Sequence, residues 1–179
     1  VNVSSVAGLV GTAFTSAYNM TKGGVRLFTK SVAHECGLLG NGVRVNSVHP
    51  GVINTPMVDA ELPKWTAVGF GANDEETLWN VLAMHPIGRL GEVDDVAKAI
   101  RYAAQHGADV INLSVEFDVR LNARHLPTII SAMRYARKRG SLVVAAAGNQ
   151  AARRVAYPAR YNFALAVGAT TIRGCLAEY

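Results

Sequence analysis

The chain has 179 residues, half of them hydrophobic and 17% charged, which suits one domain or one and a half with a buried core and excludes a disordered or fibrous segment. Its net charge of +5 is uneven: residues 1–100 carry 7 Lys/Arg against 9 Asp/Glu, and residues 101–179 carry 11 against 4. The basic residues fall in a helical stretch (Arg134, Arg137, Lys138, Arg139) or a loop (Arg153, Arg154) with no aromatic platform between them, so a solvated basic face is expected and nucleic-acid binding is not.

Strand-length apolar runs alternate with longer helical stretches, the pattern of a parallel sheet with crossover helices. Val1 to Ser5 reads as a strand already under way, from which a preceding segment is expected. Ser16 to Leu39 reads as a long helix ended by Gly40-Asn41-Gly42, and Val43 to Val48 as a strand stopped by Pro50-Gly51. A loop with Pro56 and Pro63 then runs through Gly69-Phe70-Gly71. Asp74 to Met84 is helical with Asn73 as its N-cap, and Pro86-Ile87-Gly88 breaks it. Glu92 to Gln105 is a helix closed by Gly107, and Asp109 to Leu113 a strand. A helix begins at Ala123 or Thr128 and ends at Arg139-Gly140. Leu142 to Ala147 and Ala164 to Ala169 are the last strands. No apolar run is long enough to cross a bilayer, and no secretory leader opens the chain. Cys36 and Cys175 match no metal or disulfide framework, and no metal site is expected.

Two constellations carry chemistry. Tyr18 and Lys22 stand at i and i+4 on one helix face. A free phenol has a pKa near ~10, and a cation beside it favours the phenolate, bringing it toward acid–base work at neutral pH. Ser5 lies thirteen residues upstream, at a strand end, where its hydroxyl could meet a carbonyl oxygen polarised by Tyr18. The order Asn2-Val3-Ser4-Ser5-Val6-Ala7-Gly8, then Tyr18-x-x-x-Lys22-Gly23-Gly24, then Val43 to Met57 through His49-Pro50-Gly51-Val52-Ile53-Asn54-Thr55 closely resembles the C-terminal half of short-chain dehydrogenases/reductases over about residues 1–100. The resemblance implies that Tyr18 is the acid/base, that Lys22 binds the nicotinamide ribose and lowers the tyrosine pKa, and that Ser5 orients the substrate carbonyl. It further implies that Pro50, Gly51, Val52 and Thr55 border the nicotinamide of NAD or NADP, and that the Pro56–Phe70 loop covers substrate. That family's N-terminal half carries a Gly-rich phosphate turn, the residue that chooses between NAD and NADP, and an Asn of the proton relay. These have no counterpart in the 179 residues. Gly8-Leu9-Val10-Gly11 is no substitute, because it opens no helix dipole toward a pyrophosphate. Very weak cofactor binding is expected.

The second constellation is Ala145-Ala146-Ala147-Gly148-Asn149, a strand with an amide at its tip, where a side-chain N–H could stabilise an oxyanion. With Gly107 to Ser114, Val143 to Asn149, Tyr157-Pro158-Ala159 and Ala166-Val167-Gly168-Ala169, it resembles the middle of subtilisin-like serine proteases over about residues 97–179. Asn149 would then be the oxyanion donor, with Ser114 and Ala147 bordering the substrate cleft. The Asp, His and nucleophilic Ser of that family are not among these residues, and Ser114 lacks the helix-start context of a nucleophile.

The reading is therefore a hybrid of two α/β folds: a Rossmann-like parallel sheet of about five strands, with the seam inside a helix at Asp94–His106 and no hinge. Its nearest inherited activity is NAD(P)-dependent oxidoreduction through Ser5, Tyr18 and Lys22, without full turnover. A subtilisin-like endopeptidase fragment and a non-catalytic recombined or designed chimera are the alternatives. A cytoplasmic location is expected from the first part, although the second resembles a family that is usually secreted. If the strands are laid down in sequence order, one sheet face is left uncovered, so a homo-oligomer or aggregation is expected.

Overall fold

Each short apolar run hydrogen-bonds its polar backbone laterally, while each longer amphipathic stretch satisfies its own as a helix. The result is five strands, β1 (Asn2–Val3), β2 (Ser47–Val48), β3 (Val110–Leu113), β4 (Leu142–Ala146) and β5 (Ala164–Val167), with five α-helices. The helices are α1 (Ser16–Leu39), α2 (Pro56–Ala67), α3 (Asp74–Ala83), α4 (Val93–Gln105) and α5 (Pro127–Lys138), and two 3-10 turns lie at Val6–Gly8 and Ala123–His125. The structure is a computed structural model that describes residues 1–117, 120–149 and 154–175. Arg153, one of the two loop arginines, lies outside them.

The strands form one wholly parallel sheet in the order β2-β1-β3-β4-β5, so the expected five-stranded α/β sheet is present. Asn2 pairs with Ser47 on one side and with Asn112 on the other, and β3 and β4 pair from Val110↔Leu142 to Leu113↔Ala145. Local signals set the helix ends. Gly40 terminates α1 at φ 60, in the left-handed region where glycine carries no Cβ penalty. The Asn73 side chain accepts from Glu76 N at 2.9 Å to cap α3, and Glu92 and Asp95 form a reciprocal capping box on α4. Helix α4 runs unbroken through Val96–Arg101.

Several expectations need correction. The strands are not in sequence order: the connection from β1 to β2 runs one way, and the chain then returns past β1 to place β3. Right-handed crossovers in opposite directions put helices on opposite faces. The side chains agree. Val3 joins the core with residues of α4 and α5, whereas Asn2 Nδ2 donates to Thr29 Oγ1 of α1 at 3.1 Å. The Val43–Val48 strand is reduced to Ser47–Val48, because Arg44 reaches away to donate to the His106 carbonyl at 3.1 Å and Val43 N is taken by Asn41 Oδ1 at 3.0 Å. The stretch from Pro56 is mostly helix rather than loop: Pro56 at the first position needs no hydrogen bond and its fixed φ suits the turn. Strand β4, whose nearly all-apolar run Leu142 to Ala147 suits a strand buried on both faces, is buried on one face only, with Val143 and Ala145 in the core while Leu142 is 46% exposed. Aromatic rings do lie beside the basic helix, but the protein's own arginines stack on them: Arg101 over Tyr135 at 4.4 Å and Arg137 over Phe163 at 4.0 Å.

The main core sits between β3/β4 and α4/α5. Ile100, Ile111, Leu113, Ile129, Met133 and Val143 are all fully buried there. On the other face α1 packs against β1 and the first 3-10 turn, and nothing among the described residues covers the remainder, where Val110 and Leu142 are exposed.

Candidate functional site

Because all five strands are parallel, the segments that follow them emerge at one edge. Ser5 follows β1, Pro50–Thr55 follows β2, Ser114 follows β3 and Asn149 follows β4. The residues expected from the two constellations thus share the carboxyl edge of a single sheet. Strand order reverses at β1, with β2 added on one side and β3 on the other, and the crevice at such a switch point is where open α/β sheets place their ligands. Ser5 and Ser114 flank it on neighbouring strands.

The first constellation is assembled by hydrogen bonds between the strand end and α1. Ser4 Oγ donates to the Lys22 carbonyl at 2.8 Å. Gly8 lies directly under that carbonyl, where an added Cβ would come within 2.6 Å of the oxygen. Ser5 is buried, and its Oγ accepts from Ala7 N at 3.1 Å, which leaves the hydroxyl proton available for another acceptor. Tyr18 is 48% exposed in the first turn of α1, and Lys22 Nζ stands 5.7 Å from its ring centroid. Partial burial lowers the pKa of Lys22, since desolvation disfavours the ammonium.

The segment after β2 is tied to the same strand end. Val6 N donates to Pro50 O at 2.9 Å, and His49 Nδ1 lies 3.0 Å from Ser5 O with Nε2 2.9 Å from Ser47 Oγ. Val52 N donates to His85 Nε2 at 3.1 Å, while His85 Nδ1 lies 2.8 Å from Val81 O. Those partners require the neutral ring with its proton on Nδ1. Gly51 is needed here for room, as a Cβ would meet His85 Nε2 at 2.8 Å. Thr55 Oγ1 donates back to Ile53 O at 3.3 Å. Sequence reasoning missed His49 and His85. The available signal was positional: His49 stands directly before Pro50-Gly51, and His85 lies four residues beyond Val81 at a helix end, where a ring N–H meets the i−4 carbonyl.

The residues fit one end of a dinucleotide and not the other. Ser5 and the Pro50–Val52 backbone follow neighbouring strands, and the Ser4–Lys22 bond ties the turns of α1 that carry Tyr18 and Lys22 to the same strand end, which is the end where a nicotinamide and its ribose would lie. A pyrophosphate needs a backbone turn open to solvent at a helix start. The glycine turn after β1 offers none, for Gly8 is buried against Lys22.

The second constellation is less closely held. Ala147 N donates to Val167 O and accepts, through its carbonyl, from Ala156 N, both at 2.8 Å. Asn149 is exposed just beyond, and Ser114 is exposed at the end of β3.

Comparison with known proteins divides the chain along the same lines. The family profile described as enoyl-(acyl carrier protein) reductase matches residues 1–116, and that of the subtilase family matches residues 80–179. The chain is 38% identical over 104 residues to the NADP-dependent (R)-specific alcohol dehydrogenase of Lentilactobacillus kefiri, covering 58% of this chain and 37% of the relative. It is 42% identical over 101 residues to the thermophilic serine proteinase of Bacillus sp. (strain AK1), covering 55% of this chain and 24% of the relative. Among solved structures, sphericase is similar at 33% identity and a TM-score of 0.41, covering 50% of this chain and 31% of that one. The chain therefore spans well under half the length of the relatives it matches.

Proposed function

Taking as premise that the chain belongs to two families at once, the short-chain dehydrogenases/reductases through residues 1–116 and the subtilases through residues 80–179, we propose that its nearest activity is NAD(P)-dependent oxidoreduction of a small cyclic alcohol or ketone. Ser5, Tyr18 and Lys22 carry it, and the seam between the two parts lies in α4. The observation that supports this reading is the Ser4–Lys22 bond, which docks the first turns of α1, with Tyr18 and Lys22, on the end of β1 next to Ser5. Ser5 donates its hydroxyl proton to a carbonyl oxygen there. Tyr18 exchanges a proton with the same oxygen, with the Lys22 Nζ 5.7 Å from its ring centroid. The substrate class is carried over from relatives described as cyclohexanol dehydrogenase and cyclopentanol dehydrogenase.

The nicotinamide cofactor would supply the hydride, but the glycine turn after β1 is closed against Lys22 and no other glycine turn among the described residues follows a strand and opens a helix, so the 179-residue chain holds the pyrophosphate too weakly for full turnover. Fluorescence titration with NADH and NADPH is expected to give no saturable binding at micromolar concentration. Micromolar binding would mean that the phosphates are held elsewhere on the chain. With millimolar NADPH and cyclohexanone, residual reduction is expected to be slow and to vanish in Tyr18→Phe. An equal rate in that variant would remove Tyr18 from the reaction.

The uncovered apolar surface carries a second proposal, that the chain self-associates. Met20, Leu27 and Phe28 are exposed on α1, and Leu142, Leu165 and Val167 on the open side of the sheet. Exposed apolar surface of this kind marks sites of association, and β5 is an edge strand of the sheet. Light scattering at several micromolar concentrations is expected to report dimers or larger species. A monodisperse monomer of 19.0 kDa would overturn it.

A further inference from the structure

On the face of the sheet opposite α1 lies a cleft of about 350 Å³ that touches none of Ser5, Tyr18 and Lys22, although Pro50 and Gly51 line one end of it. Its floor is Val3, Val48, Ile111 and Leu113, one wall is Ala99 and Ala103 of α4, and the segment around Ile87 closes the far side. The fold explains why it is there. Helix α4 packs against α5 and β3, so the side of β1 toward β2, and β2 itself, lie beyond it, where the chain between α3 and α4 lines the space with His85, Ile87, Arg89 and Gly91. Small side chains at positions 99 and 103 keep the space open.

Four ionisable side chains and the Val1 ammonium reach the cleft, and each is already partnered, Val1 N donating to Val110 O at 2.7 Å. His49 is held by Ser5 O and Ser47 Oγ. His85 is held by Val81 O and Val52 N. Arg89 Nη1 donates to Asp95 Oδ2 at 2.9 Å and to Leu90 O at 2.8 Å, and Asp95 also accepts from Glu92 N and Lys98 Nζ. Water entering such a space finds few unfilled hydrogen-bonding sites, and a cavity with an apolar lining is the kind that takes an apolar guest instead. Its volume is roughly twice the ~150 Å³ that accommodates benzene.

We propose that this cleft is a binding site for an uncharged apolar molecule on the scale of two fused rings, on the sheet face opposite Tyr18 and Lys22 and meeting the crevice at the carboxyl edge at Pro50 and Gly51. The proposal is independent of the oxidoreductase reading. The neutral naphthalene dye prodan is the probe, titrated into the intact chain and followed by the blue shift of its emission. Saturable single-site binding is expected. Ala99→Leu, which fills the cleft, and Ile87→Trp, which plugs its mouth from a position 69% exposed, are each expected to weaken it about tenfold or more, roughly 1.4 kcal/mol. Leu142→Ser with Leu165→Ser, on the open sheet surface, is expected to leave it unchanged. Should Ala99→Leu fail to fold by circular dichroism, Ile87→Trp decides. The proposal is overturned by an absence of saturable binding, by unchanged affinity in the folded cleft variants, or by a loss confined to the Leu142/Leu165 variant.

Discussion

Replacing Ile100 by alanine is expected to destabilise the entire chain by about 2–5 kcal/mol, shifting one cooperative unfolding transition rather than one of two. Ile100 is 2% exposed and projects from α4 into the cluster that contains Ile111, Leu113, Ile129 and Met133, with Val3 of the first strand in the same cluster. Truncation removes three buried carbons and leaves a void that the close-packed neighbours fill only in part. Helix α4 also lies where the two family matches overlap, so this residue reports on whether the two parts share a core. Urea denaturation followed by far-ultraviolet circular dichroism and by tryptophan fluorescence makes the test. Trp65 and Trp79 lie in α2 and α3, in the first part alone. Coincident transitions that move together support one core, whereas a fluorescence transition that stays in place would establish two.

A single methyl group at Gly8 is expected to cost about 1–3 kcal/mol and to loosen α1 from the end of β1. The added carbon would lie 2.6 Å from the Lys22 oxygen and 2.8 Å from Ser4 Oγ, and the first of these is helix backbone that no rotamer change can move. Relief requires α1 to shift, which breaks the Ser4–Lys22 bond and displaces Tyr18 with it. An opposing effect exists, because Gly→Ala restricts the unfolded chain and stabilises by about 0.4–1 kcal/mol where the site is compatible. Gly11 provides that comparison, having nothing within 4 Å of the corresponding position. Gly11→Ala is therefore expected to be neutral or slightly stabilising, and Gly8→Ala clearly destabilising. Equal midpoints in thermal denaturation would refute the packing role of Gly8.

These two residues mark the boundary between local and non-local information. Most features that depend on a few neighbouring residues were legible beforehand, the helix opened by Pro56, expected as a loop, being an exception. The i, i+4 spacing puts Tyr18 and Lys22 on one face of any helix that contains them. Gly40 and Asn73 act within a turn of their own positions, so the limits of α1 and the start of α3 followed from the residues alone. The alternation of apolar runs with helical stretches dictated a parallel α/β sheet, and the ordered motifs identified both families.

Strand order had no such local signature. A run such as Val110–Leu113 can pair with any parallel neighbour, and its place beside β1 is decided by the burial summed over α4, α5 and both strand pairs. That choice sends α1 to the opposite face and creates both the crevice and the cleft. Gly8 read only as an inadequate phosphate turn, and His85 as no feature at all. Their partners, Lys22 and Gly51, lie 14 and 34 positions away in sequence, and the contacts arise only once the sheet has brought distant segments together. The sequence by itself determined the elements, their parallel class and the reactive residue types. Only the tertiary structure decided which of them meet, because side-chain periodicity specifies a face, whereas a neighbour across the sheet is selected by packing over the whole chain.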